Sequence, residues 1–337
     1  MAEKSAFYES QRQELHQILP LDSPLSANVE VSSLCNIRCK YCRHSLGPSE
    51  VKKIQSLHNM DLSLFTSIVK QFEEFPHKIK KLVINGVGEP LCNPDFPKML
   101  AIAKQSKAIE KVEFFTNATL LTPELSQEII QTGVDRIKIS LQGLSSEKYR
   151  EICGVDIDYI SLYKNIQYLA SIRQKTELFI KIIDIGLEDN FQLFLSEYFF
   201  ADKLFMEYVQ PWFAEINYEK LIQPVKSKTK TRTNKYGKDV NIPKVCPIPF
   251  YRLYINADGD VYYCYSIRRP APVFNCRERS IMEIWKSEQR RDFLRSMLRK
   301  ERKSNEVCCN CTMMCDAAFS EKDNLDLYTN NLLKRFC

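Results

Sequence analysis

The 337-residue sequence has no apolar run approaching the roughly 18 to 20 residues that a membrane-spanning helix requires. Its N-terminus, MAEKSAFYESQRQELHQ, lacks the apolar core of a secretory signal. A cytoplasmic protein with no membrane partner is therefore expected. In that compartment the thirteen cysteines, an odd number with several tight clusters, point to metal ligation rather than disulfides. Also missing is any acidic counterweight between residues 220 and 244, where eight Lys or Arg face no Glu and the single Asp239. That run has little aromatic interleaving and no recognised module around it, so nucleic acid is not an expected partner. A solvated linker accounts for it most simply; a lid over an anionic substrate is the sharper alternative. The remaining composition, 44% hydrophobic and 27% charged, is that of two globular domains or one large barrel with an appendage.

The most informative stretch is VSSLCNIRCKYCRH, residues 31–44, which places Cys35, Cys39 and Cys42 in one short polar loop after a strand-like run. Three thiolates at this spacing can hold three irons of a four-iron, four-sulfur cube but leave the fourth without a protein ligand. A cluster used only for structure or electron transfer normally has four cysteines, so the vacancy itself suggests chemistry. Zinc sites usually pair cysteines two to four residues apart with a second pair elsewhere, and CxxxCxxC fits that poorly.

Around this loop the pattern alternates. An amphipathic helix is expected over residues 6–19, with Phe7, Leu15, Ile18 and Leu19 as buried positions and Pro20 and Pro24 ending it. A first strand follows at 28–33. Helical stretches near 61–75, 94–107, 123–132, 158–173 and 188–199 then separate strand-like runs at 81–85, 111–115, 135–140, 177–183 and 203–209. Six strands with five intervening helices demand a parallel sheet, and an α/β fold in the form of a partial (β/α)6 TIM-like barrel fits best. Chemistry in such barrels gathers where strands end. There stand the cysteine loop, Asn85-Gly86-Val87-Gly88-Glu89-Pro90, Thr116-Asn117 and Ser140-Leu141-Gln142-Gly143. Lys181, Asp184, Glu207, Tyr208 and Gln210 could also line a pocket, but alternation without a fixed register does not choose among them.

CxxxCxxC with Tyr41 before its last cysteine, followed one βα unit later by Gly-Val-Gly-Glu-Pro, resembles the signature of the radical S-adenosylmethionine (radical SAM) enzymes. The resemblance implies a 4Fe-4S cluster on Cys35, Cys39 and Cys42, with SAM chelating the open iron and being cleaved to a 5′-deoxyadenosyl radical. It further implies that Gly86, Gly88 and Glu89 bind the SAM amino group, and that Tyr41, Thr116, Asn117, Ser140 and Gln142 form the rest of the cofactor pocket. The departure from the family's GGEP pattern is Val87 with its leading Asn85.

Beyond the basic run the composition changes. Residues 251–256 and 260–264 read as a β-hairpin turning at Asp258-Gly259, and a helix follows over about 280–299. Cys246, Cys264 and the CxxC of Cys308 and Cys311 can close a four-thiolate cage, around a cluster or around zinc. The glycine five positions before Cys264 and the Ile-Trp-Lys-Ser segment resemble the SPASM or twitch extension of radical SAM enzymes. That resemblance implies one auxiliary 4Fe-4S cluster on Cys246, Cys264, Cys308 and Cys311. Cys315 and the terminal Cys337 do not complete the family's second-cluster pattern, and Cys309 competes with Cys308; Cys92, Cys153 and Cys276 read as structural. The expected organisation is an N-terminal extension (1–27), a core barrel (28–215), a basic linker (216–244) and a small α+β cluster domain (245–337).

The resemblance implies oxidation or rearrangement of a polar substrate. A sugar-like small molecule is favoured over a peptide because no separate peptide-binding domain precedes the barrel. An electron donor such as flavodoxin or ferredoxin is the expected protein partner. A non-catalytic metal or electron-transfer protein and a zinc-containing nucleic-acid binder are the rival classes.

Overall fold

The alternating pattern folds as six parallel strands that pair in chain order: β1 (Ser26–Val29), β2 (Lys81–Ile84), β3 (Val112–Thr116), β4 (Arg136–Leu141), β5 (Glu177–Ile183) and β6 (Lys203–Glu207). The computed structural model describes residues 12–187, 190–219, 221, 234–238, 242–266, 274–311, 313–316 and 320–336. Successive side chains on a strand point to opposite faces, and here the two faces differ in chemistry. Leu82, Ile84, Phe114, Ile139 and Ile180 are fully buried beneath helices Leu62–Phe72 and Phe96–Gln105 and their neighbours. The alternate residues Lys81, Val83, Phe115, Lys138, Ser140 and Lys181 face the interior of the partial barrel. Local signals place the helices: Thr122 caps Pro123–Gln131 by accepting from the Leu125 amide, and Asp158 caps Tyr159–Ile172 by accepting from Ile160 and Ser161.

Several expectations shift. Of the helix expected over 6–19, the described part is one turn, Leu15–Ile18, and Phe7 lies outside the described residues. The first strand spans 26–29 rather than 28–33, because the chain peels away after Glu30: the Ser33 amide donates to the His58 carbonyl at 3.0 Å, off the sheet ladder. The helix expected over 280–299 is two, Ile281–Trp285 and Glu288–Leu298. Ser287 interrupts it, its side chain capping the second helix by accepting from the Arg290 amide. Helix Ser146–Cys153 was not expected; its apolar face is Tyr149, Ile152 and Cys153, in an otherwise largely charged segment.

The C-terminal region does not stand apart. Its first strand, β7 (Arg252–Ile255), pairs in parallel with β1, and β8 (Asp260–Tyr262) and β9 (Phe274–Asn275) follow antiparallel. One nine-stranded sheet results, in the order β6-β5-β4-β3-β2-β1-β7-β8-β9. Leu253, Ile255, Val261 and Trp285 share one core with the barrel residues. Trp285 also donates from Nε1 to the Leu21 carbonyl at 2.9 Å, and the Arg290 guanidinium lies 3.3 Å from the Trp285 ring centre.

Inside the barrel, buried charges are paired. Lys138 Nζ lies 2.8 Å from Glu113 Oε1, with the residues 1% and 3% exposed. Burial alone would raise the Glu113 carboxyl, but Lys138, Lys81 and Arg136 together outweigh it and hold it at about 2. A carboxylate depressed from the ordinary 4.5 stabilises the fold above that value, and the stabilisation is lost as pH falls from about 4.5 to about 2. Glu113→Ala strands Lys138 in the interior, and urea unfolding at neutral pH should show a loss of about 3–5 kcal/mol. The same variant should lose less stability than the wild type on acidification through that window; an unchanged acid profile would contradict the pairing.

Candidate functional site

The cysteine loop is fixed from three sides by hydrogen bonds. The Glu89 amide donates to Leu34 O at 2.7 Å from the glycine-rich turn, and the Arg38 and Lys40 amides donate to Cys153 O and Ile152 O at the end of helix Ser146–Cys153. On the remaining side the Tyr41 hydroxyl donates to Gln142 Oε1, and Tyr218 OH donates to Tyr41 O at 2.9 Å. This helix therefore supports the loop. Cys153, read from sequence as structural, lies with its sulfur 3.7 Å from that of Cys39.

The two glycines of the turn are required by close packing. A Cβ on Gly88 would lie 2.2 Å from Ser32 O, and one on Gly86 would lie 2.4 Å from the Glu30 carboxylate, which accepts from the Val87 amide at 2.8 Å. Glu89 is 3% exposed and its carboxylate accepts from the Leu91 amide (3.1 Å), the Thr116 hydroxyl (2.7 Å) and the Asn117 amide (2.7 Å). Burial pushes its carboxyl up to about 7, against the lowering effect of those three donors. A carboxylate has about four lone-pair sites, so one remains for a ligand.

Cys35, Cys39, Tyr41, Cys42, Gly86, Gly88, Glu89, Thr116, Asn117, Ser140 and Gln142 all line one cavity of about 420 Å³. Of the strand-end residues left undecided by sequence, Lys181 lines it, and Glu207 is buried beneath Lys181 and Lys235, each 2.6 Å away. Asp184 instead accepts from the Val209 amide. Lys235 belongs to the basic run, much of which lies outside the described residues.

The second cysteine group assembles on the flank of the same cavity. Cys246, Cys264, Cys308 and Cys311 lie close enough for their charges to influence one another, and Tyr265, Ser266 and Met313 beside them line the cavity wall. Cys309 turns away, its thiol donating to Glu306 O at 3.1 Å. The Cys315 side chain and Cys337 lie outside the described residues. Burial pushes the Cys42, Cys246 and Cys308 thiols up to about 12, and Cys35, Cys39 and Cys264 upward as well; Cys39 is raised chiefly by its hydrogen bond to Cys153. Such thiols ionise when a metal takes the proton's place. Among the described residues no group of three or more His, Cys, Asp or Glu closes on a single metal ion. The donors in both sets are thiols, the ligand type of iron–sulfur clusters.

Sequence reading missed Asn28, Lys81, Glu113, Lys138, Trp212, Arg252 and Tyr254, all of which line the cavity. The strand residues among them carry the alternation of inward positions, but that signal needs the register of β7 on β1, which joins segments more than 200 residues apart.

Comparison with known proteins agrees with this geometry. Residues 29–192 match the radical SAM superfamily and residues 246–312 match the iron–sulfur cluster-binding SPASM domain. A GTP 3′,8-cyclase of Staphylococcus carnosus is 28% identical over 178 residues, 52% of this chain and 50% of that protein. The chain thus spans about half the length of the curated relatives it matches. Among solved structures, BtrN in complex with AdoMet and 2-DOIA superposes with a TM-score of 0.57 at 16% identity, covering 89% of this chain and 96% of that one. SuiB of Streptococcus suis bound to precursor peptide SuiA gives a TM-score of 0.57 at 14% identity, covering 81% and 66%. At these identities the structures speak for the fold. No helix among the described residues is long and apolar enough to cross a membrane. The cofactors that the two domains imply are a 4Fe-4S cluster with S-adenosylmethionine and an auxiliary iron–sulfur cluster. The chain is a member of the radical SAM superfamily with a C-terminal SPASM domain.

Proposed function

We propose that this chain reductively cleaves S-adenosylmethionine and takes a hydrogen atom from a polar, sugar-like small molecule held in the barrel, leading to its oxidation or rearrangement. The observation that carries the reading is the shared cavity: the cysteine loop and its glycine-rich turn form one wall, and the residues beside Cys264 and Cys311 form another. A volume of about 420 Å³ is in the range of small-molecule sites. Cys35, Cys39 and Cys42 would hold the first cluster, and Cys246, Cys264, Cys308 and Cys311 the auxiliary one. When bound, these groups and SAM supply the low-potential electron, the 5′-deoxyadenosyl radical and an acceptor for the electron that the substrate gives up.

The chain's own residues do the positioning. Glu89, with its remaining lone pair, accepts from the methionyl ammonium; Gly86 and Gly88 let the turn lie flat against the loop so that this carboxylate faces the cavity. Tyr41, Thr116, Asn117, Ser140 and Gln142 contact the carboxylate or ribose of SAM. Phe115, Trp212, Phe213 and Tyr254 keep water from the reacting carbon. A flavodoxin or ferredoxin is the proposed electron donor.

A peptide is the alternative substrate, as SuiB was solved with its precursor peptide on this fold. The interior position of the cavity favours the small molecule. A protein that only stored or passed electrons would have no use for a buried carboxylate with a spare acceptor site beside an incomplete thiolate set.

After anaerobic reconstitution with iron and sulfide, the protein should form 5′-deoxyadenosine from SAM under a strong reductant. Cys39→Ala should abolish this; retained cleavage would overturn the assignment of the loop. Cys264→Ala should lower bound iron by about four, one four-thiolate cluster having lost a ligand, while the SAM-cleaving cluster stays. Unchanged iron would remove Cys264 from the ligand set. Because burial holds Glu89 at about 7, SAM affinity measured by equilibrium dialysis should rise from about pH 6 to about pH 8 as the carboxylate ionises. Glu89→Gln should weaken binding and flatten that rise; a pH profile like the wild type's would rule out the ammonium contact.

A further inference from the structure

The far end of the cavity from the cysteine loop is cationic. Lys81 and Arg252 are the first residues of β2 and β7, and both are in register with Ser26, the first residue of β1. They stand two strand spacings apart, roughly 10 Å. With Arg12, Lys138, Lys181 and Lys235 they make the interior wall predominantly positive, against Glu89 and Glu113 on the wall and Glu207 beneath Lys181 and Lys235.

Arg252 is the best-prepared of these cations. Its guanidinium carbon lies 4.7 Å from the Tyr265 ring centre and 5.7 Å from that of Tyr251. Its side chain makes no hydrogen bond or ion pair among the described residues, and its buried Nε has no partner. On β1, two residues beyond Ser26, the register partner of Arg252, Asn28 is 2% exposed and lines the cavity. The Asn28 amide donates from Nδ2 to Asn85 Oδ1 at 2.6 Å, while its buried Oδ1 has no partner among the described residues. A buried polar group left unsatisfied costs about 1–3 kcal/mol, so the Arg252 Nε and Asn28 Oδ1 atoms, both on residues that line the cavity, describe a site completed by a ligand. A guanidinium fork fits the paired oxygens of a carboxylate or phosphate; an amide oxygen takes a hydroxyl or N–H.

We propose that the substrate carries an anionic group, a phosphate ester or a carboxylate, and beyond it a hydroxyl. Arg252 binds the anion and Asn28 Oδ1 accepts from the hydroxyl. This rests on the reading of the cavity as the substrate site. β1 runs from this subsite toward the cysteine loop, a rise of roughly 13 Å from Ser26 to Glu30. The anion therefore anchors the end of the molecule remote from the carbon that reacts.

The test is equilibrium dialysis of the reconstituted protein, without SAM or reductant, against inorganic phosphate and, separately, acetate, with ionic strength held constant by chloride. The wild type should bind at least one of them saturably at one site; preference for phosphate assigns a phosphate ester and preference for acetate a carboxylate. Arg252→Gln should weaken that binding about tenfold or more, as expected for loss of a charge-assisted bidentate contact. Arg252→Lys, which keeps the charge but not the fork, should fall between, and Asn28→Asp should weaken binding by placing a carboxylate beside the anion. Thermal melts establish that each variant is folded. No saturable binding of either anion, or equal binding by the wild type and folded Arg252→Lys and Arg252→Gln, would overturn the proposal. Because no SAM is cleaved in this measurement, its failure would leave deoxyadenosine formation as a separate question.

Discussion

The parallel pairing of β7 onto β1 is the contact on which the remaining architecture depends. It makes β1 an inner strand, flanked by β2 and β7 in the same register. The C-terminal end of β1 delivers the cysteine loop, and its N-terminal end sets Ser26 between Lys81 and Arg252. Through the turn from β7 to β8 the same pairing brings Cys264 and its neighbours to the flank of the cavity. A sheet that ended at β1 would leave the interior open on that side and the auxiliary cysteines without a fixed position.

The interior so enclosed is unusually polar for a barrel. Its charged residues persist because they are neutralised in groups: Glu113 by Lys138, Lys81 and Arg136, and Glu207 by Lys181 and Lys235. Phe115 carries Lys138 against its face at 4.7 Å and Lys181 at 6.0 Å, holding the cations by their aromatic contact. Such pairs are weak evidence for a stabilised core, and their concentration on the cavity wall is in keeping with the polar substrate proposed above.

How far the sequence revealed this depended on whether the signal was local. The cysteine loop, the Gly-Val-Gly-Glu-Pro turn and the βα alternation are short-range patterns, and the strands fell within one or two residues of their expected positions except for β1. There the residues up to Ser33 look like strand, but Glu30 turns inward to hold the Val87 amide and the chain leaves the sheet. Long-range facts were hidden. That helix Ser146–Cys153 supports the loop, that Lys235 reaches Glu207, and that Arg252 faces the same space as Cys35 all follow from register and closure rather than from any motif. Cys308 was in the ligand set read from sequence with Cys309 as its competitor, and only the fold shows the Cys309 thiol donating to Glu306 O.

The central claim is that the three-cysteine loop holds a cluster with one iron left open to SAM. The direct measurement is electron paramagnetic resonance of the reduced, reconstituted protein with and without SAM, in the wild type and in Cys264→Ala. The account predicts two cluster signals in the wild type, only one of which changes on adding SAM, and survival of that SAM-sensitive signal alone in the variant. Signals indifferent to SAM, or a SAM-sensitive signal that disappears with Cys264, would contradict it.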